Sequence, residues 1–183
     1  TFAQQFGAKA GMNVSTISDE GFDDTKSKVG YYAGVFMNVP VSESFSIQPE
    51  VLYNNLGSKV SSTVLGTTYS STLNLDYVAV PVMFQYKATP QFYLEAGPEF
   101  GFLVNAKQKF DNGSSSIVTE LDKEDFNSFN MGVGLGLGFD ISKNVGLNAR
   151  YVAGFSDITK ESGPAADAKN KNNAFQVGLN IKF

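Results

Sequence analysis

The sequence predicts an all-β protein: an eight-stranded antiparallel up-and-down transmembrane β-barrel. Three observations predict it. Apolar residues alternate with small or polar ones through most of the chain, which is the period that a strand imposes. The connections alternate between short and long. One face of each strand is apolar and aromatic, while the other carries Gly, Asn, Gln and charged residues.

The first strand runs from about Phe6 to Ile17, with Phe6, Ala8, Ala10, Met12 and Val14 on one face and Gly7, Lys9, Gly11 and Asn13 on the other. The second, about Lys28 to Val41, sets Val29, Tyr31, Ala33, Val35, Met37 and Val39 against Gly30, Tyr32, Gly34 and Asn38. The third, Phe45 to Leu56, opposes Phe45, Ile47, Val51 and Tyr53 to Gln48, Glu50 and Asn54. The fourth, Leu73 to Lys87, places Val78, Val80, Val82, Phe84 and Tyr86 on one side. The fifth, Gln91 to Asn105, sets Phe92, Leu94, Ala96, Phe100, Phe102 and Val104 against Tyr93, Glu95, Gly97, Glu99, Gly101 and Asn105.

The sixth alternates most cleanly. Met131, Val133, Leu135, Leu137, Phe139 and Ile141 interleave with Gly132, Gly134, Gly136, Gly138 and Asp140. The seventh, Val145 to Phe155, opposes Leu147, Ala149, Tyr151 and Ala153 to Asn148 and Arg150. The eighth ends at Phe183, with Phe175, Val177, Leu179 and Ile181 against Gln176, Gly178, Asn180 and Lys182.

Three connections are short: Ser42-Glu43-Ser44, Ala88-Thr89-Pro90 and Ser142-Lys143-Asn144. The others, about Ser18 to Ser27, Gly57 to Thr72, Ala106 to Asn127 and Asp157 to Asn173, are long and polar. Short turns on one side and long loops on the other are the pattern of a bacterial outer-membrane barrel, with the turns and both termini in the periplasm.

Polarity points the same way. A strip of small polar residues cannot fill a dry core, because unpaired buried polar groups cost several kcal/mol each. With the apolar face outward, the surrounding solvent must be lipid. Each apolar face covers roughly 10 residues of strand, close to the ~9–11 needed to cross a bilayer. In lipid every backbone N–H and C=O must be paired, so the sheet must close on itself. Tyr31, Phe45, Tyr53, Tyr86, Phe92, Phe129, Tyr151, Phe155 and Phe183 stand near strand ends, where aromatic girdles form. The alternative is a lipocalin-like soluble barrel whose apolar face lines a ligand cavity.

Composition narrows function further. The 183 residues include no Cys, His or Trp, and the net charge is −4, from 14 basic and 18 acidic residues. No disulfide or thiolate metal site is possible, and the commonest general base is missing. The mild acidity offers no basic surface for nucleic acid. No run of about 18 apolar residues is present to form a membrane-spanning helix. Mean hydropathy of −0.12 suits either a soluble protein or a membrane barrel, whose alternating strands dilute the signal. Residues 1–183 read as one barrel domain, with 1–5 as a periplasmic remnant of a signal-peptide cleavage region.

The segments SIQPEVLY (Ser46 to Tyr53), LDYVAVPVMFQY (Leu75 to Tyr86), YLEAGPEFGFLV (Tyr93 to Val104), GLGLGFDI (Gly134 to Ile141) and ARYVAGFSDI (Ala149 to Ile158) resemble the outer membrane protein β-barrel family common in Bacteroidetes, with its PorT-like and OmpX-like eight-stranded barrels. The resemblance spans about Phe6 to Phe183 and rests on the order and spacing of the segments together. It implies an eight-stranded barrel in an outer membrane and little about activity. Phe183, ending the alternating FQVGLNIKF, is similar to the terminal signal that the barrel-assembly machinery reads.

An eight-stranded barrel is just wide enough for side chains to fill. Lys9, Glu50, Glu95, Glu99, Arg150 and Lys182 all fall on the inward parity, so a polar network is expected in the lumen, with Arg150 paired to Glu95, Glu99 or Glu50. Large neighbours such as Tyr32, Phe36 or Tyr93 could fill the space that the inward glycines leave; alternatively, that space forms a water-filled passage. Glu95 and Glu99 stand about 13–14 Å apart along one strand, too far for a glycosidase pair.

Acidic clusters in the loops (Asp19, Glu20, Asp23 and Asp24; Glu120, Asp122, Glu124 and Asp125) lack the spacing of a helix-loop-helix calcium site and read as solvated loops. No catalytic residue, cofactor or metal is expected. The functional expectation is a structural or interaction barrel, acting through its extracellular loops or as a subunit of a larger outer-membrane complex. A narrow pore for ions or small solutes is the alternative. Expected partners are outer-membrane lipid, lipopolysaccharide met by loop lysines such as Lys107, Lys109, Lys123, Lys160 and Lys169, and the assembly machinery during insertion.

Overall fold

The computed structural model describes residues 3–18, 26–120, 129–157 and 171–183. Nine strands lie within them: β1 (Gln5–Ser18), β2 (Lys26–Pro40), β3 (Phe45–Val64), β4 (Thr67–Lys87), β5 (Phe92–Asp111), β6 (Ser116–Glu120), β7 (Phe129–Asp140), β8 (Val145–Asp157) and β9 (Lys171–Lys182). Eight close an antiparallel ring in the order β1-β2-β3-β4-β5-β7-β8-β9, with β9 returning to β1. Closure leaves no free edge within the ring. The ring has the predicted strand number and connectivity.

The three short connections share one device. In each, a hydroxyl accepts the backbone N–H three residues on: Ser42 from Phe45 at 3.0 Å, Thr89 from Phe92 at 2.9 Å, and Ser142 from Val145 at 3.1 Å. These side chains satisfy amides that the ladder leaves open and set a tight reversal.

The opposite end departs from expectation. The stretch from Gly57 to Thr72, read as a loop, continues the ladder as a β-hairpin, from Gly57↔Asn74 up to Val64↔Thr67. Its two-residue turn, Leu65-Gly66, has positive φ at both positions, 49° and 79°, as a tight hairpin requires. Much of the segment from Ala106 to Asn127 is also strand. β5 runs on to Asp111 and turns through Gly113 into β6, which among the described residues pairs only with β5. Outside the apolar band a strand needs no apolar face, so Ser- and Thr-rich segments serve.

The apolar face points outward in every ring strand. Leu135 is 60 % exposed, and Phe6, Met12, Val35, Val51, Phe84, Leu94, Leu147 and Val177 are also exposed. Buried positions carry Lys9, Asn13, Gln48, Glu50, Asn54, Gln85, Glu95, Asn148, Arg150, Gln176 and Asn180. This polarity is the inverse of a soluble barrel's, and it removes the reading of a soluble binder with an apolar cavity.

On β5 the apolar stretch runs from Phe92 to Phe102. Ten steps of about 3.4 Å, at a tilt of about 40°, span roughly 25 Å, the height of an outer-membrane apolar band. Aromatic pairs flank it. Phe45 meets Tyr86 with ring centroids 5.1 Å apart at the short-turn end, and Tyr31 meets Tyr53 at 6.2 Å toward the other.

Three register shifts sit toward the long-loop end. The one in β5 lies at Val104, because Asp76 pairs with Asn105 while Tyr77 pairs with Leu103. An extra residue in a strand reverses the facing beyond it. Leu103 and Ala106 are therefore both buried, and Asn105 is not on the inward face read for it but donates to Asp76 at 3.2 Å. Asp76 also accepts from Asn55, whose carbonyl oxygen accepts from Lys28 at 2.6 Å. This polar chain lies at the upper limit of the apolar band.

Candidate functional site

The lumen is filled in layers. At the short-turn end, Lys182 Nζ pairs with Asp140 Oδ2 at 2.8 Å. Further in, a relay crosses the barrel. Tyr32 donates to Asn148 at 2.8 Å, Asn148 to Asn180 at 2.7 Å, and Asn180 to the Tyr93 hydroxyl at 2.9 Å. Glycines make room for the rings. A Cβ on Gly138 would lie 2.1 Å from Tyr93 Cζ, one on Gly178 2.4 Å from the Tyr32 hydroxyl, and one on Gly7 2.3 Å from Phe36 Cζ. Gly138, Gly178 and Gly7 thus hold Tyr93, Tyr32 and Phe36, while a Cβ on Gly134 would press on Met83 and Gly132 lines a small cavity higher in the lumen.

Above this lies a charged lock. Arg150, on β8 and 0 % exposed, holds Glu50 of β3 with two parallel hydrogen bonds, Nη1 to Oε2 and Nη2 to Oε1, both 2.8 Å. Its Nε donates to Glu95 Oε1 of β5 at 2.7 Å. Lys9 of β1 adds a second cation on Glu50 Oε1 at 3.0 Å. Gln48 donates to Glu50 at 2.8 Å and Gln85 to Glu95 at 3.1 Å. Asn38 ties the supports together, donating to both Gln48 and Gln85 at 3.0 Å.

Charges at this depth are tolerable only when paired and hydrogen-bonded on all sides. The planar guanidinium suits two carboxylates on different strands because its donors form a rigid fork.

Above the lock the lumen becomes apolar. Leu56, Leu75, Tyr77, Leu103, Ala106 and Ala174 pack into a buried cluster with Leu73 against it. The inward parity suggested polar filling throughout. The alternation does not show this lid, because Leu56 and Leu75 stand between polar or small residues, Leu103 stands inside the apolar run Phe102-Leu103-Val104, and only the β5 bulge brings Ala106 to the same side. Between lock and lid lies a cavity of about 30 Å³. Its lining includes Asn54, Tyr77, Glu99, Asn130 and Gln176.

The structure therefore joins Lys9, Glu50, Glu95 and Arg150 and separates two residues expected beside them. Lys182 belongs to its own pair at the turn end, because its place on β9 lies far down the barrel from Arg150. Glu99 stands two inward positions above Glu95 on β5, past Gly97, and its Oε2 has no hydrogen-bond partner among the described residues. Arg150 spends its fork on Glu50 and its Nε on Glu95. Phe183 is exposed, and its N–H donates to the Phe6 carbonyl at 2.8 Å.

Among the described residues no group of three or more Asp or Glu side chains could hold a metal. Asp19, Glu20, Asp23, Asp24, Asp122, Glu124, Asp125, Lys123, Lys160 and Lys169 lie outside the described residues. Glu120 is described and pairs with Lys107 at 3.4 Å on the surface.

A closed antiparallel ring with a lipid-compatible exterior and a salt-bridged interior defines a transmembrane β-barrel. The chain belongs to the outer membrane protein β-barrel domain family, whose model matches residues 2–160, and its location is the bacterial outer membrane. Solved barrels share the fold at low identity. Ail, the attachment invasion locus protein of Yersinia pestis, aligns over 100 % of both chains with 15 % identity and a TM-score of 0.58. Neisserial surface protein A aligns over 97 % of both chains with 12 % identity and a TM-score of 0.56. CarO of Acinetobacter baumannii aligns over 97 % of both chains with 13 % identity and a TM-score of 0.51. No curated protein sequence matches the chain.

Proposed function

We propose that the protein is a non-catalytic interaction barrel that presents a β-sheet outside the cell and passes no solute. The observation that carries this reading is a lumen closed twice, by the Arg150 lock and by the apolar lid, beneath a sheet that outgrows the membrane. The short-turn end faces the periplasm, and the β3–β4 and β5–β6 hairpins face outward, as the family's loop asymmetry implies.

The projecting sheet has the chemistry of a contact surface. Leu65, Tyr69, Phe110, Ile117 and Val118 are all exposed there. Tyr69, Phe110 and Ile117 line a groove of about 300 Å³ with Ser62, Asp111 and Ser115. Among the described residues β6 pairs only with β5, and an edge left open in this way offers backbone donors and acceptors to an added strand. Ail, similar in fold, is by its description an attachment protein.

The same reading takes outer-membrane lipid and lipopolysaccharide as the barrel's surroundings. The segments quoted above support a place in the PorT-like branch of Bacteroidetes, with the barrel free or docked in a larger complex.

The test compares cells displaying the intact chain with cells whose chain has residues 60–71 replaced by a two-residue turn. The reading expects both barrels to fold and to stay silent in planar bilayers, with adherence of the cells lost only in the shortened form. Discrete conductance steps from the intact chain, with unchanged adherence of the shortened one, would overturn it.

A further inference from the structure

We propose that the cavity between lock and lid is a site for one small monovalent cation, held by Glu99, Asn130 and Tyr77. Three buried oxygens on residues that line this cavity have no hydrogen-bond partner among the described residues: Glu99 Oε2, Asn130 Oδ1 and the Tyr77 hydroxyl. Tyr77 is 2 % exposed, so solvent outside the barrel does not satisfy its hydroxyl. Buried polar atoms left without partners cost roughly 1–3 kcal/mol each. Three of them facing one space point to a missing occupant.

Charge identifies the occupant's sign. Around the lock, the cations of Lys9 and Arg150 face the carboxylates of Glu50, Glu95 and Glu99, and no ion pair reaches Glu99 among the described residues. With Glu99 ionised, the local inventory is short of one positive charge. The unpartnered set is all oxygen: one carboxylate, one amide carbonyl and one hydroxyl. Hard cations take such ligands, and divalent ones generally ask for more carboxylates than a single Glu.

Size sets the rest. A cavity of about 30 Å³ admits an ion with a water or two and excludes organic cations. Asn54 and Gln176, hydrogen-bonded to each other at 3.3 Å, close one side of it. The leucine lid covers the site, so the ion enters as the barrel folds or when the lid opens.

Because such an ion binds the folded barrel and not the unfolded chain, it raises stability by mass action. The test measures thermal unfolding of the purified barrel in detergent in sodium, potassium or choline chloride at one ionic strength. Crystals soaked in thallium(I) are examined in parallel for anomalous scattering. The expected result is a Tm that rises with the logarithm of sodium or potassium concentration but not of choline. Glu99→Gln should abolish that dependence while remaining folded, and a thallium peak should lie among Glu99, Asn130 and Tyr77. Equal Tm in all three salts, or a cavity holding only water or a protonated Glu99, overturns the proposal. So does a small-cation effect that persists in Glu99→Gln.

Discussion

Arg150 and Glu50, a hundred positions apart in sequence, meet across the lumen through two parallel hydrogen bonds of 2.8 Å. The pair clamps β8 to β3 on opposite sides of the ring, and Lys9 and Glu95 extend the clamp to β1 and β5. Removing one partner strands a buried charge, at a cost of about 3–5 kcal/mol. Arg150→Ala should therefore lower the heat-modifiability midpoint on gels strongly. Lys143→Ala, in an exposed turn, should leave it unchanged. Equal midpoints would mean that the lock contributes nothing to stability.

Arg150→Lys keeps the charge and loses the fork. A lysine offers a point charge and cannot hold Glu50 bidentately while reaching Glu95. The barrel should fold with a midpoint between wild type and Arg150→Ala. A midpoint equal to wild type would show that charge alone suffices.

Gly138 exists for Tyr93. An added methyl would press on the tyrosine ring, whose hydroxyl accepts from Asn180. Overpacking of this kind costs about 1–3 kcal/mol. Gly138→Ala should destabilise the barrel in urea titrations, and the loss should shrink when Tyr93→Ala is already present. Additive losses would place the strain elsewhere.

The outward face is a solvent boundary. Leu135 stands in the middle of the apolar stretch of β7, and Ile117 stands on β6 beyond the ring. An arginine at the bilayer midplane costs about 2–4 kcal/mol in an outer-membrane barrel, and one outside the band costs little. Folding into lipid vesicles should be impaired by Leu135→Arg and unaffected by Ile117→Arg. The reverse order would move the membrane band.

The ring was legible in the sequence because the contrast between faces is large: in β7 every second residue is Asn, Gly or Asp, and the residues between are Met, Val, Leu or Phe. The hairpin above β3 was not, because Lys59-Val60-Ser61-Ser62-Thr63-Val64 has no face to contrast. Its β-branched residues and the Leu65-Gly66 turn were the available signal.

Parity placed Lys9, Glu50, Glu95, Glu99 and Arg150 on the inner wall but could not choose partners. Which residues stand level across a barrel depends on strand tilt and stagger, and neither is written in any one strand. Glu95 and Glu99 share a face, yet only Glu95 is level with Arg150. The β5 bulge at Val104 leaves no mark in the alternation before it, so alternation alone puts Asn105 inward and does not bring Leu103 and Ala106 to one side.

Inverted polarity defines this barrel, and the absence of Cys makes a direct measurement simple. Single cysteines at Val133, Leu135, Leu137 and Leu147, and at the inward Asn148 and Gln176, can carry spin labels in a bilayer-embedded barrel. Collision rates with oxygen, which concentrates in lipid, then report each position. The account predicts high oxygen accessibility at the four apolar positions and low accessibility at Asn148 and Gln176. High accessibility at Asn148 and Gln176, with shielded labels at Val133, Leu135 and Leu137, would contradict it.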